Sequence, residues 1–247
     1  MANWLSGTID EKKQWNDRLF SLRIRADFPV FKPGQFVRVA LDVDGERIAR
    51  PYSLVNTPDD SCLEIFFNIV PEGPLSPRLA RLESGDGIFV SNAANGFLVV
   101  DEIPPCRHLW MLATGTGLGP FLSILKSTAP WPRFEKLVLA YSVRERSELA
   151  YAELIAQLQQ QHAGQFEFVP FITREKVAGS LNQRITAALE DGSLEDRVGL
   201  RVSAGESHVM MCGNSAMISA VSEVLQQRGL RKHLRREPGH LTTEKYH

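Results

Sequence analysis

Polar and apolar residues alternate from Leu19 to Arg25: Phe20, Leu22 and Ile24 fall on one face, Leu19, Ser21, Arg23 and Arg25 on the other. A period of two predicts a strand with one buried side. Phe36 to Val43 repeats the texture, and Asp44-Gly45 is a hairpin turn into a further run from Arg47. Leu63 to Val70 is rich in Phe and Ile, and Gly85-Asp86-Gly87 leads into Ile88-Phe89-Val90. Short strands separated by turn signals predict a small antiparallel barrel. A helix from Ser76 to Leu82, with Pro77 in its first turn, interrupts it.

After Pro104-Pro105 the period lengthens. Apolar runs at Leu109–Ala113, Leu137–Tyr141, Phe166–Ile172 and His208–Cys212 predict buried strands. Phe121–Lys126, Leu149–Gln161 and Met217–Arg228 have the composition of helices. Strands alternating with helices predict a doubly wound α/β parallel sheet. The expected organisation is an antiparallel β-barrel over residues 1–101 and an α/β domain over 102–247.

Composition narrows the chemistry. The 247 residues are 43% hydrophobic with a formal net charge of −1, so no global field favours nucleic acid or an anionic membrane. Three cysteines, Cys62, Cys106 and Cys212, show no C-x-x-C spacing, which argues against a zinc or iron–sulfur site and against a secreted disulfide scaffold. No apolar run approaches the ~20 residues of a membrane span, and the N-terminus lacks the blocks of a signal peptide. A cytoplasmic location is expected.

Gly115-Thr116-Gly117-Leu118-Gly119-Pro120 joins the first parallel strand to a helix. Glycines there let the backbone approach a pyrophosphate, and the helix start supplies N–H groups. Pro120 stands where the dinucleotide fingerprint has its third glycine. The segment therefore reads as a variant nucleotide site or as a tight turn without ligand. NAD sites place an acidic residue near the end of the second strand. Here Val143-Arg144 ends that strand, Thr173-Arg174 ends the third, and Arg184 follows. Two arginines at adjacent strand ends favour a 2′-phosphate, hence NADPH, over solvated surface residues.

In the β half, Arg50-Pro51-Tyr52-Ser53 ends a strand, and residues two apart share a face. Arg50 beside Tyr52 suits a flavin: one neutralises pyrophosphate, the other stacks and hydrogen-bonds. Ser53 reaches the ring edge only if the strand ends there. Taken alone, the pair is also a common surface feature.

The motif Arg50-Pro51-Tyr52-Ser53, then Gly73-Pro74-Leu75-Ser76, Gly115–Pro120 and Cys212-Gly213-Asn214, stand in the order found in ferredoxin–NADP reductases. Pro33-Gly34-Gln35-Phe36 is similar to that family's early barrel strand. Glu237-Pro238-Gly239-His240 through Tyr246-His247 resembles the ending of its bacterial ferredoxin/flavodoxin–NADP reductases. The resemblance spans essentially the whole chain.

That resemblance implies FAD and NADP(H) as cofactors and ferredoxin or flavodoxin as the electron partner. It implies that Arg50, Pro51, Tyr52 and Ser53 hold FAD. Phe67, Asn68 and Ile69 would lie along the isoalloxazine through their backbone, and Leu75 and Ser76 would hold the pyrophosphate. Thr116, Tyr246 and His247 would also touch FAD; the family often ends in tyrosine-tryptophan, so His247 is a departure. Gly115, Gly117, Val143, Arg144, Thr173, Arg174 and Arg184 would serve NADP. Cys212, Gly213 and Asn214 would sit near the nicotinamide, with Ser53 and Cys212 beside the reacting atoms and no covalent intermediate on Cys212. The basic stretch Arg228, Arg231, Lys232, Arg235 and Arg236 reads either as a docking patch for an acidic carrier or as a solvated helix end. A monomer is expected. Competing readings are a flavin-releasing reductase, an oxygenase reductase component (which would carry iron–sulfur cysteines) and a nucleotide sensor.

Overall fold

The computed structural model describes residues 3–246. The chain divides into two compact units. One runs to Val99 and also takes Gly119–Ser127; the other comprises Val100–Leu118 and the chain from Thr128 onward.

The first unit holds β1 (Trp4–Gln14), β2 (Leu19–Arg25), β3 (Phe36–Val43), β4 (Glu46–Ser53), β5 (Leu63–Asn68) and β6 (Gly87–Ser91), in the sheet order β4-β3-β6-β1-β2-β5. Neighbouring strands are antiparallel throughout. The two edges of the sheet meet: Leu54 bridges Ile65, and the Val55 amide donates to the Glu64 carbonyl at 2.8 Å. The sheet thus curls into the expected barrel. Phe20, Leu22 and Ile24 all enter its core with Val37, Val39, Ile65, Phe67 and Val90. The β3–β4 hairpin turns on Asp44 (φ 51°) and Gly45 (φ 84°), the paired positive φ values that a two-residue turn requires. β1 lies between β6 and β2, although in its lower half only Gly7 and Ile9 are buried.

The helix expected over 76–82 is shorter, α1 (Ser76–Leu79). Beyond it the Arg81 and Leu82 amides reach back three residues, to Arg78 and Leu79, so the turn tightens and stops. The same unit takes α2 (Gly119–Lys126), whose Ser123 hydroxyl donates to the Asn56 carbonyl at 2.6 Å and whose Lys126 pairs with Asp60 at 3.1 Å.

The second unit is a parallel sheet of β7 (His108–Thr114), β8 (Lys136–Val143), β9 (Phe166–Ile172), β10 (Ser207–Asn214) and β11 (Leu241–Tyr246), ordered β11-β10-β7-β8-β9. The chain starts at the centre, builds outward through β8 and β9, then returns past β7 to lay down β10. That reversal between β7 and β10 is the topological switch point, where open α/β sheets bind ligands. Trp110 and Leu112, Val138 and Ala140, Val169 and Phe171, and Val209 and Met211 share one sheet face. They pack with Ile185, Ala188 and Leu189 of α4 (Ile185–Glu190), Leu194 of α5 (Ser193–Val198), and Ile218, Val221 and Leu225 of α6 (Ser215–Gln227). α3 (Ala152–Gln161) joins β8 to β9 and packs along β9.

Among the described residues no helix is long and apolar enough to cross a membrane, and no group of His, Cys, Asp and Glu is arranged to hold a metal.

Candidate functional site

In the barrel unit, β3 and β4 pair without a register shift, so Arg50 and Tyr52 share a face. Arg50 is exposed; its Nη1 donates to the Ala49 carbonyl at 2.8 Å, and it has no acidic partner among the described residues. Tyr52 is half-buried and meets Phe67 edge-on, with ring centroids 6.0 Å apart. Burial pushes its phenol up to about 12, with the Arg50 charge pulling the other way. Ser53 is buried and is the last residue of β4. Pro51 is exposed between them.

Phe67 is sealed into the core against Phe20, leaving its backbone as the part that can face a ligand; Asn68 is exposed and Ile69 half-buried. The Tyr52–Phe67 contact and the Leu54–Ile65 bridge bring the two motifs together. Ser76 is joined to them as well. Its buried Oγ accepts the Val70 amide at 2.9 Å, which ties the start of α1 to the end of the Phe67–Ile69 segment. The Leu75 and Ser76 amides make no intramolecular bond among the described residues. A cation without a counter-ion, an aromatic ring with an unburied edge and unspent main-chain donors fit an aromatic group that carries phosphates, as FAD does.

In the parallel-sheet unit, a 3₁₀ turn spans Gly115–Leu118. Gly115 takes a positive φ of 53°, and a Cβ there would meet nothing within 4 Å. Gly117 differs: a Cβ would stand 2.4 Å from the Cys212 carbonyl oxygen. Gly213, at φ 124°, would place a Cβ 2.3 Å from Thr114 Oγ1. These two glycines are required by chain packing against chain at the switch point. Gly115 alone of the three has room on its open side, and Thr116 beside it is half-buried.

Cys212 is fully buried. Burial drives its thiol well above the ordinary range; Glu244, directly across in register on β11, adds to this, and a hydrogen bond with Tyr246 opposes it. A thiol held protonated is a poor nucleophile. Asn214 caps α6: its side-chain oxygen accepts the Ala216 and Met217 amides at 2.9 and 3.1 Å. Tyr246 ends β11 opposite Asn214, and its carbonyl accepts the Ser215 hydroxyl at 2.9 Å. The expected tail is thus a sheet strand; His247 lies outside the described residues.

Arg144 and Arg174 are brought together. The Thr173 amide donates to the Val143 carbonyl at 3.1 Å and the Arg174 amide to the Arg144 carbonyl at 2.9 Å, so the two chains stay paired past the ends of β8 and β9. Both side chains are exposed, and neither guanidinium forms an ion pair among the described residues. Arg184 is exposed at the residue before α4. Two exposed arginines on paired backbone, without acidic partners among the described residues, suit a phosphate dianion.

The basic stretch is not uniform. Arg228 turns inward: Nη1 pairs at 2.9 Å with Glu195, a carboxylate only 3% exposed, and Nη2 donates to the Leu189 carbonyl. A buried carboxylate demands such a partner, so Arg228 supports the fold. Arg231 faces Glu237 at 3.8 Å and Arg235 faces Glu102 at 3.4 Å. Leu234 and Glu237 exchange two backbone bonds of 3.0 Å, which places Arg235 and Arg236 at the tip of a hairpin; Lys232 is exposed on its approach. Sequence reasoning missed Glu148, Glu175 and Asn182, whose bonds to backbone shape the two arginine loops. The one signal was Glu145 followed three residues later by Glu148, the spacing of a capping box.

Comparison with known proteins identifies the family. The oxidoreductase FAD-binding domain family matches residues 8–96, and the oxidoreductase NAD-binding domain family matches residues 111–223. The chain is 45% identical to the flavodoxin/ferredoxin–NADP reductases of Escherichia coli (strain K12) and Shigella flexneri, over 100% of both chains in each case. It is 35% identical to the ferredoxin–NADP reductase of Pseudomonas aeruginosa, covering 99% of this chain and 98% of that one. Among solved structures, a ferredoxin NADP+ reductase from Neisseria gonorrhoeae with bound FAD and NADP superposes with a TM-score of 0.94 at 31% identity, covering 99% of each chain. Sequence, fold and site geometry together make this chain a member of the flavodoxin/ferredoxin–NADP reductase family.

Proposed function

We propose that this protein is an NADPH-dependent reductase that exchanges electrons with ferredoxin or flavodoxin through bound FAD. The observation that supports this reading is that one chain carries two sets of exposed arginines without acidic partners among the described residues. One is Arg50 with Tyr52 on a flavin-type barrel, the other Arg144 with Arg174 at adjacent ends of a doubly wound sheet. FAD, when bound, supplies the conversion between hydride transfer with NADPH and single-electron transfer with the carrier.

The protein's own part is to bind, orient and exclude water. Arg50 neutralises pyrophosphate, Tyr52 packs its ring on the flavin with Pro51 beside it, and Ser53 hydrogen-bonds at the strand end. The Phe67–Ile69 backbone lines the flavin, and the Leu75 and Ser76 amides hold phosphate. Arg144, Arg174 and Arg184 select the 2′-phosphate, flanked by Val143 and Thr173. The turn from Gly115 through Gly117 carries the nucleotide, and Gly213 and Asn214 shape the nicotinamide end. Cys212 packs there as a neutral thiol. The protein works as a monomer in the cytoplasm.

The purified protein is expected to show a flavin absorbance spectrum that anaerobic NADPH bleaches at concentrations at least about tenfold below those of NADH. Equal bleaching by both would remove the phosphate roles of Arg144 and Arg174. A colourless protein that takes up no added FAD would overturn the reading.

Lys232, Arg235 and Arg236, with Arg231, form the surface for an acidic carrier; Arg228 is excluded by its inward pairing. Arg235→Glu with Arg236→Glu is expected to slow reduction of an acidic flavodoxin about tenfold at low salt, mainly through the association rate. Ferricyanide reduction should be unchanged. Equal slowing with both acceptors would sink the docking role.

A further inference from the structure

The loops that carry Arg144 and Arg174 also carry carboxylates, which is unexpected beside a site for a dianion. Arg144 is followed by Glu145 and Glu148, and Arg174 by Glu175. Their geometry explains their presence. Glu148 Oε2 accepts the backbone amide of Arg144 at 2.7 Å and that of Glu145 at 3.4 Å. Glu175 Oε2 accepts the amide of Arg146 at 3.2 Å, so the loop after β9 grips the loop after β8. Glu175 is itself held, because Asn182 Nδ2 donates to its carbonyl and, at 3.2 Å, to that of Ile172. The Tyr141 hydroxyl donates to the Glu148 carbonyl at 3.3 Å, fixing the far end of the first loop. Neither carboxylate forms a salt bridge with either arginine.

From this arrangement we infer that Glu148 and Glu175 are positioning residues for 2′-phosphate recognition. They spend their charge on main-chain amides and so set the two arginine loops while leaving both guanidinium groups uncommitted. The inference rests on the assignment of Arg144 and Arg174 to the 2′-phosphate. A ligand that meets preset donors loses less to ordering them. The opposing effect, repulsion between an exposed carboxylate and a phosphate, is screened by water and salt. The two effects predict opposite signs for removal of the carboxylate.

The test is equilibrium binding of 2′-phospho-AMP and of 5′-AMP to the FAD-loaded protein by calorimetry. The ratio of the two dissociation constants measures discrimination for the 2′-phosphate. Glu148→Ala and Glu175→Ala are each expected to lower that ratio about tenfold, the scale on which supporting residues act. Glu148→Gln and Glu175→Gln keep an acceptor oxygen and drop the charge; they should hold the ratio within about twofold of wild type or raise it. Should Glu148→Ala fail to fold, Glu175→Ala with its Gln counterpart carries the comparison.

A rise in the ratio for both the Ala and the Gln variants would mean that the carboxylates only repel, and would overturn the inference. So would an unchanged ratio in the Ala variants, an equal loss in Ala and Gln, or weakening of both ligands by the same factor. Arg144→Ala separates the two levels. If it leaves the ratio unchanged, the phosphate assignment itself fails and takes the inference with it. If it lowers the ratio and the Glu variants do not, only the inference fails.

Discussion

Replacing Arg144 or Arg174 by alanine is expected to raise the KM for NADPH about ten- to a hundredfold, and replacing both by several hundredfold, with the KM for NADH within about threefold of wild type. The size follows from charge-assisted, bidentate contacts to a phosphate, which are roughly twice as strong as neutral ones. At saturating NADPH, kcat should change little. The 2′-phosphate is remote from the reacting atoms, so its binding is uniform between ground and transition states. Arg144→Lys should fall between, since an ammonium keeps the charge and loses the fork. Steady-state reduction of ferricyanide with each nucleotide measures all of this. Parallel rises for NADPH and NADH would show that the arginines act on the fold or on some other part of the nucleotide. Both side chains are exposed and neither has an acidic partner among the described residues, so stability should be nearly unaffected.

Gly213→Ala should be the most damaging single methyl in the second unit. Its φ of 124° lies outside the region L-residues adopt, and the added Cβ would stand 2.3 Å from Thr114 Oγ1 and 2.5 Å from the Thr114 carbonyl oxygen. Backbone cannot swing aside as a side-chain tip can. Strain and collision together are expected to cost about 3 kcal/mol or more. For a chain of this size that lowers the thermal midpoint by roughly 6–12 °C. Gly117→Ala should behave similarly, because its Cβ would meet the Cys212 carbonyl oxygen at 2.4 Å and the Gly213 nitrogen at 2.8 Å. Gly115→Ala is the internal control. With open space and a φ of 53°, it should cost only about 1–2 kcal/mol of left-handed strain. Thermal unfolding followed by circular dichroism ranks the three. A Gly213→Ala midpoint within about 2 °C of wild type would show that the two chains part easily at the switch point.

What the sequence revealed follows from where the physical signal is local. β2, β3 and β9 were legible to their ends because a clean period, or a dense apolar run, is bounded by turn residues. β1 escaped although it is central, because Gly7 and Ile9 are its buried positions over a long polar stretch and a register shift falls between Ile9 and Glu11. β11 (LTTEKY) is an edge strand too polar to announce itself, and α4 and α5, six residues each, are too short to show a helical period. The arginine pair was legible because strand ends are. Which glycine faces open space was not, since that depends on the Cys212 and Thr114 backbones, far along the chain. Nor was the inward turn of Arg228, which exists only because Glu195 is buried thirty-three residues away.

The first unit is not a continuous stretch of chain. α2 belongs with it, yet α2 is laid down only after β7 of the second unit has been made. During synthesis the early strands therefore emerge without the helix whose Ser123 holds Asn56 and whose Ile124 lies beside Gly34. They must wait on the ribosome with that surface uncovered while the next unit begins. A chain that folds from its N-terminus forward here leaves its first module unfinished until part of the second exists. The stretch of gene up to Val99 therefore does not by itself encode the whole of the first unit.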